Sequence, residues 1–365
     1  MAATTPLLAP KASQPCLTQP PNKITSIKTL AESPGLTTIP SKYIYSCNFS
    51  DQVASDHEYT IPVIDYSLLI SANPNQRSQV IYELGKACEE WGFFMVINHG
   101  VPESLVKRMI DVVGGFFNLT EGDKLEFTDK GVFDPIRCGT SFNASMDTVL
   151  SWKDFLKVFV HPEFHSPNNP PEFRGISSDY VKKVRGIARE LLRGISESLG
   201  LEKNYIDETL KLESGLQVIA ANFYPPCPQP ALAMGMVPHS DHGLLTLLIQ
   251  NGIDGLQVKH KDKWFNVNAI PNSLLVNTGD HLEILSNGKY KSVLHRAVVH
   301  DKTTRISVAM AHGPCLDAVV TPAPKLLADA ENHQPAYIGI KYKDYLQLQQ
   351  SSNLDGKSNL DCLRV

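Results

Sequence analysis

VIAANFY at residues 218–224 opens the part of the chain whose reading decides the fold. It is a short run rich in β-branched and aromatic residues. Six similar runs follow, at 244–250, 256–259, 264–267, 274–277, 293–299 and 305–311. Turn formers separate them: Pro225-Pro226, Asn251-Gly252, Asp254-Gly255, Pro271-Asn272 and Asn287-Gly288. Many short strands with such punctuation indicate a sandwich or jelly roll, not a parallel sheet of βαβ units.

Upstream the period changes. Residues 76–92 place Val80, Ile81, Leu84, Ala87 and Cys88 on one helical face, and 103–118 do the same with Leu105, Met109, Ile110 and Val113. Residues 179–199 carry a third stripe, Val181, Val184, Ile187, Ala188, Leu191 and Ile195, and a shorter helix is expected near 205–212. Two strands are expected in this half, Ile61-Pro-Val-Ile-Asp65 and Phe93-Phe-Met-Val-Ile97, the second closed by Asn98-His99-Gly100. The organisation expected is therefore α+β. A mostly disordered extension covers 1–40, a helix-rich region 41–214, a β core 215–345 and a loose polar tail 346–365. The first 40 residues hold seven prolines and one acid, Glu32, a composition with little to bury. They contain no arginine, which argues against a transit peptide.

Composition excludes several classes of function. The 365 residues carry a formal net charge of -4, so there is no basic domain for nucleic acid. Apolar runs such as 244–249 fall far short of the ~20 residues a membrane span needs. The seven cysteines are scattered without a CxxC, which suits reduced thiols in the cytoplasm. A monomeric cytoplasmic protein acting on a small molecule, with no nucleic-acid or membrane partner, is the expectation.

The chemistry gathers on three short patterns. In His239-Ser240-Asp241 the histidine and the carboxylate share a face if the segment is a strand. His295, 54 residues after Asp241, heads another apolar run and supplies a third ligand. Two histidines and one carboxylate leave coordination positions open, as in non-haem Fe(II) oxygenases, whereas a structural zinc site prefers four ligands. Alone, His-x-Asp reads as a hydrogen-bonded pair. Arg305-Ile306-Ser307, ten residues after His295, changes that reading. An arginine fork and a hydroxyl on one face are what a buried carboxylate requires.

The ordered set His239-x-Asp241, His295, Arg305-x-Ser307 resembles the plant Fe(II)/2-oxoglutarate-dependent dioxygenases, in particular their flavonol-synthase and flavanone-3-hydroxylase-like branch. Asn222-Phe-Tyr-Pro-Pro-Cys-Pro228, Asn277-Thr-Gly-Asp280 and Tyr290-Lys-Ser-x-x-His295-Arg296 also resemble that family, as do Ile61-Pro-Val-Ile-Asp65, Trp91-Gly-Phe-Phe94 and Asn98-His-Gly100. The likeness spans roughly residues 40–345. It implies a double-stranded β-helix core, a jelly-roll variant. It implies Fe(II) on His239, Asp241 and His295, and 2-oxoglutarate on Arg305 and Ser307 with Tyr224 and Asn222 beside it. O2 would be the oxidant and ascorbate an activator. The activity implied is oxidation, chiefly hydroxylation, of a specialised metabolite, with release of succinate and CO2. A 2-oxoglutarate-independent oxidase and a catalytically silent ligand-binding relative are the alternatives.

The same resemblance places Phe142, Asn143, Phe155, Lys157, Ala220, Ala311 and His312-Gly313 near the substrate. Flavonoid-acting relatives often carry an aromatic residue and a glutamate at the positions of Ala311 and Gly313, and some carry lysine at that of Ala220. Small residues here point to a different substrate. His99, His242, His281 and His300 are read as structural or solvated, with His242 pointing away from the iron.

Overall fold

The computed structural model describes residues 26–45, 53, 60–141, 149–328, 334–351 and 358–365. Eight strands form one sheet: β1 (Val63–Asp65), β2 (Phe93–Ile97), β3 (Ile136–Gly139), β4 (Asp154–His161), β5 (Gln217–Tyr224), β7 (Leu245–Gln250), β10 (Leu274–Thr278) and β12 (Arg305–His312). Their order is β1-β2-β10-β7-β12-β5-β4-β3, antiparallel throughout except for β1 on β2. A second sheet, in the order β6-β11-β8-β9, contains β6 (Met236–His239), β8 (Leu256–His260), β9 (Lys263–Asn266) and β11 (His295–Ala297).

Strand alternation gives the large sheet two faces. Leu156 and Val158 of β4, Ile219 and Ala221 of β5, Leu247 and Ile249 of β7, and Val308 and Met310 of β12 join one core with the helices. The helix Phe173–Ser198 supplies Phe173, Ile176, Tyr180, Val184, Ile187, Leu191 and Ile195 at spacings of three and four, all buried. It packs on the helices Pro74–Glu90 and Glu103–Phe117. The opposite face of the sheet looks toward the small sheet. There Phe93 and Met95 of β2 and Leu275 of β10 meet Leu256, Val258 and Phe265 in a separate apolar cluster. Beside that cluster the two sheets part and enclose a cavity.

Three expectations need correction. The helix-rich half contributes four strands to the large sheet, not two, so this sheet runs across position 214/215. Strand β4 is hard to recognise because both its faces are covered and Lys157, on the cavity face, breaks the apolar run between Leu156 and Val158. The extension over 1–40 is packed from Ser26 onward; residues 1–25 lie outside the described set. Ile27 and Ile39 are buried against Trp152 and Tyr224. Asp154, at the start of β4, accepts from Ser26 Oγ at 2.9 Å, Ile27 N–H at 2.7 Å and Lys28 N–H at 3.0 Å. The tail is packed as well. Tyr342–Ser351 is a helix with Tyr345 and Leu346 buried. Leu360 and Leu363 are buried, and Arg364 reaches the buried Glu283 at 3.2 Å.

Asp154 therefore ties the N-terminal segment to the sheet. Asp154→Ala should destabilise the protein by roughly 2–4 kcal/mol, since hydrogen bonds to a charged acceptor are each worth more than neutral ones. Chemical denaturation measures this, and limited proteolysis should show new cutting between residues 26 and 45.

Candidate active site

Strand β6 ends at His239, and β11 begins at His295 directly across the ladder. Their rings lie 4.2 Å apart. Asp241 falls just past the end of β6, so it reaches the pair from the following loop and not, as expected, from the strand face. Its Oδ1 lies 3.9 Å from His239 Nε2 and 3.8 Å from His295 Nε2. The three ligand atoms are all within 4.8 Å of one another, the spacing of a metal-binding group.

Hydrogen bonds fix which nitrogens face the carboxylate. His239 Nδ1 sits 2.9 Å from the Val237 carbonyl and His295 Nδ1 3.2 Å from that of Val293. A carbonyl only accepts, so each Nδ1 carries a proton and each ring turns its Nε2 toward Asp241. Burial, reinforced by the neighbouring His295, pulls the His239 pKa well down and keeps it neutral. For Asp241 burial works the other way, yet His295, His239 and a hydrogen bond from Asn277 hold its carboxyl below the usual range. Two imidazole Nε2 atoms and a carboxylate suit a divalent cation with open positions.

The run Asn277-Thr-Gly-Asp280 explains how Asp241 is held. Asn277 Nδ2 donates to Asp241 Oδ2 at 2.8 Å, leaving Oδ1 for the histidine side. Asp280 N–H donates to the Asp241 carbonyl at 2.8 Å. Gly279 allows this approach, because a Cβ there would meet the Gly243 carbonyl oxygen at 2.3 Å and that of Asp241 at 3.0 Å. From the C-terminal helix, Tyr345 Oη donates to Asp280 Oδ2 at 2.6 Å. Asn277 and Asp280 support the site, a role the sequence reading did not assign to them.

Deeper in the cavity, Arg305 pairs with Tyr224 across β12 and β5, and Ser307 with Asn222. Arg305 is 1% exposed, and its guanidinium carbon lies 5.1 Å from the Tyr224 ring centre. Its Nη2 donates to Gln250 Oε1 at 2.9 Å, and its Nε has no hydrogen-bond partner among the described residues. Burial lowers its pKa, but a guanidinium stays charged. A buried cation with an unused N–H, beside a buried hydroxyl, fits a carboxylate.

The wall is mixed. Phe155, Lys157, Ala220 and Ala311 line the cavity. Gly313 does not; a Cβ there would meet Tyr342 Oη at 2.2 Å, so Tyr342 stands in front of it. Phe142 and Asn143 lie outside the described residues. His242 also lines the cavity, with Nδ1 2.8 Å from Tyr342 Oη, which corrects the expectation that it points away. His99 is structural: its Nδ1 accepts from Val101 N–H at 3.1 Å, and its Nε2 lies 2.9 Å from the Asn272 carbonyl. The reading missed Arg137 and Lys153. Lys153 Nζ donates to Asn222 Oδ1 at 2.7 Å. Burial, then the charges of Arg137 and Lys153, push the Lys157 ammonium well below the ordinary lysine range. Burial brings Arg137 down to about 10.

The sequence pattern of the 2OG-Fe(II) oxygenase superfamily matches residues 215–314, and that of the non-haem dioxygenase in morphine synthesis N-terminal region matches 61–191. The chain is 47% identical over 306 residues to 2-oxoglutarate-dependent dioxygenase 19 of Oryza sativa subsp. japonica, covering 84% of this chain and 90% of the relative. This chain belongs to the 2OG-Fe(II) oxygenase superfamily. It is 38% identical to flavanone 3-dioxygenase 2 of the same plant, over 90% of this chain and 95% of the relative. The crystal structure of JOX2 in complex with 2OG, Fe and JA superposes with a TM-score of 0.84 at 28% identity, covering 94% of this chain and 98% of that one. The fold of this dioxygenase is accordingly the family's jelly roll. It is an oxidoreductase that uses Fe(II) and 2-oxoglutarate.

Because Asn277 orients the carboxylate, Asn277→Ala should weaken divalent metal binding about 10- to 100-fold, as loss of an outer partner of a ligand does. Titration with Mn(II) or Co(II) reads this directly, while His99→Ala should leave metal affinity within about twofold. Unchanged metal affinity in Asn277→Ala would remove the role given to the Asn277-Thr-Gly-Asp280 run.

Proposed function

We propose that this dioxygenase hydroxylates a small plant specialised metabolite with His239, Asp241 and His295 as iron ligands and Arg305 and Ser307 as the anchor of 2-oxoglutarate. The observation carrying this reading is that the His–Asp–His group and the buried Arg305 line one cavity between the sheets. Fe(II), when bound, supplies the redox chemistry, in which O2 is activated as 2-oxoglutarate is converted to succinate and CO2.

The chain's own part is placement. His239 and His295 offer Nε2 lone pairs, and Asp241 offers a charge that Asn277 keeps oriented. Arg305 pairs with the distal carboxylate of 2-oxoglutarate, and Ser307 donates to it. Tyr224 and Asn222 hold the strand opposite, Asn222 itself fixed by Lys153. Phe155, Ala220 and Ala311 shape the substrate end, and their apolar surface keeps water from the reacting atoms. Ascorbate belongs in the assay as the reductant that keeps the iron ferrous. We further infer a monomer in the cytoplasm, in keeping with free cysteines at 88, 138, 227, 315 and 362. Among the described residues no helix is long and apolar enough to cross a membrane.

Arg305→Lys keeps the charge but loses the fork. The KM for 2-oxoglutarate should rise about 10- to 100-fold, given roughly 1.5–3 kcal/mol for a charge-assisted hydrogen bond. Ser307→Ala should cost less. His295→Ala should abolish succinate formation. Succinate released with Fe(II), ascorbate and a metabolite panel is the measurement; full turnover without 2-oxoglutarate would refute the reading.

A further inference from the structure

His242 directly follows the metal-site carboxylate, and it is held at both ends. His281 Nδ1 donates to its carbonyl, and the His281 ring stands edge-on to Tyr342 with centres 4.8 Å apart. On the side chain, His242 Nδ1 lies 2.8 Å from Tyr342 Oη. Tyr342 is 1% exposed, and among the described residues this is the one hydrogen bond its hydroxyl makes.

That bond settles where the ring proton sits. A phenol keeps its proton at neutral pH, and a buried one left without an acceptor is costly. The acceptor within reach is His242 Nδ1. Nδ1 therefore gives its lone pair to Tyr342, and the imidazole proton lies on Nε2. His239 and His295, which hold a proton on Nδ1, are arranged the opposite way.

Nε2 is the free end of the ring. His242 is half-buried and lines the cavity, and its Nε2 has no hydrogen-bond partner among the described residues. Its neighbourhood on the helix side is apolar: Tyr342 packs with Leu216, Val218 and Leu346, all three of which line the cavity too. A lone donor beside an apolar wall discriminates between guests. One that displaces water from the N–H without offering an acceptor strands it, which costs more than a hydrogen bond ordinarily gains. A hydroxyl brings a proton that this ring, with its lone pair engaged, does not accept. An oxygen without a proton of its own fits best.

We propose that His242 is a specificity-determining residue, donating from Nε2 to a carbonyl oxygen of an otherwise apolar substrate, and that Tyr342 is the positioning residue that fixes its tautomer. The proposal rests on the reading above, in which the cavity beside His239, Asp241 and His295 takes the substrate.

The test uses protein loaded with Zn(II) and 2-oxoglutarate, so that no turnover occurs, and two probes of one skeleton, 2-acetylnaphthalene and 1-(2-naphthyl)ethanol. Calorimetry should show the ketone binding about three- to tenfold more tightly, the scale of one neutral hydrogen bond. His242→Phe should abolish the preference, and His242→Gln, which keeps an N–H at that reach, should retain it. Tyr342→Phe frees Nδ1 to carry the proton and Nε2 to accept. The alcohol should then match or exceed the ketone, whereas loss of packing alone weakens both probes alike. Equal affinity of the wild-type protein for the two probes, binding of neither, or a ketone preference that survives His242→Phe overturns the proposal. A Tyr342→Phe protein with the wild-type preference overturns the tautomer assignment. Should one of these variants fail to fold, the wild-type probe pair and the other variant decide. Normal Zn(II) and 2-oxoglutarate binding without a ketone preference refutes only this inference; failure of the wild-type protein to bind Zn(II) and 2-oxoglutarate refutes the reading beneath it.

Discussion

Strand β12 runs between β5 and β7, hydrogen-bonded on both sides, and its register sets what the cavity contains. In that register Arg305 and Ser307 face the chamber while Val308 and Met310 enter the helix-packed core. A shift by one residue would exchange the two sets. It would bury a guanidinium among aliphatic side chains, at a cost of several kcal/mol, and turn valine and methionine toward polar groups. The apolar stripe of Phe173–Ser198 thereby fixes chemistry on the far side of the sheet. The helix never reaches the cavity, yet its packing selects which β12 residues do.

The His–Asp–His group and the buried Arg305 and Ser307 were legible in the sequence for a physical reason. Within a strand, partners on one face recur at a spacing of two, so Arg305-x-Ser307 stands out without an alignment, and His295 marks the head of its own strand. His239 and Asp241 were found by the same spacing, although Asp241 sits beyond the strand end. What could not be read were contacts made across the fold. Asn277 and Asp241 are 36 residues apart, and nothing local in either says that they touch. Lys153 drew no reading, although the resemblance placed Lys157 near the substrate, because the β4 sequence has neither a clean alternation nor a continuous apolar run. The docked N-terminal segment escaped for a related reason: its proline-rich composition suggests disorder, and it is the distant Asp154 that accepts from Ser26 Oγ and from the N–H groups of Ile27 and Lys28.

The C-terminal helix Tyr342–Ser351 joins these layers. Tyr345 holds Asp280, whose N–H holds the Asp241 carbonyl, so two hydrogen bonds separate the helix from a metal-site carboxylate. Leu346 and Gln349 of the same helix line the cavity, and Tyr342 meets His242. A polar ending that reads as dispensable is therefore part of the chamber wall. Burial of Tyr345 and Leu346 supplies the packing that keeps it there.

Division of labour within each strand has an evolutionary consequence. The backbones of β4, β5 and β12 are committed to the ladder, and one set of side chains is committed to the helix-facing core. Ala220, Ala309 and Ala311 belong to neither commitment; they project only into the chamber. Replacements there change the volume and polarity offered to a guest while the ladder, the helices and the His–Asp–His group keep their places. Such a scaffold can drift from one small molecule to another through a few point changes, each passing through a folded protein that still holds its iron ligands in position.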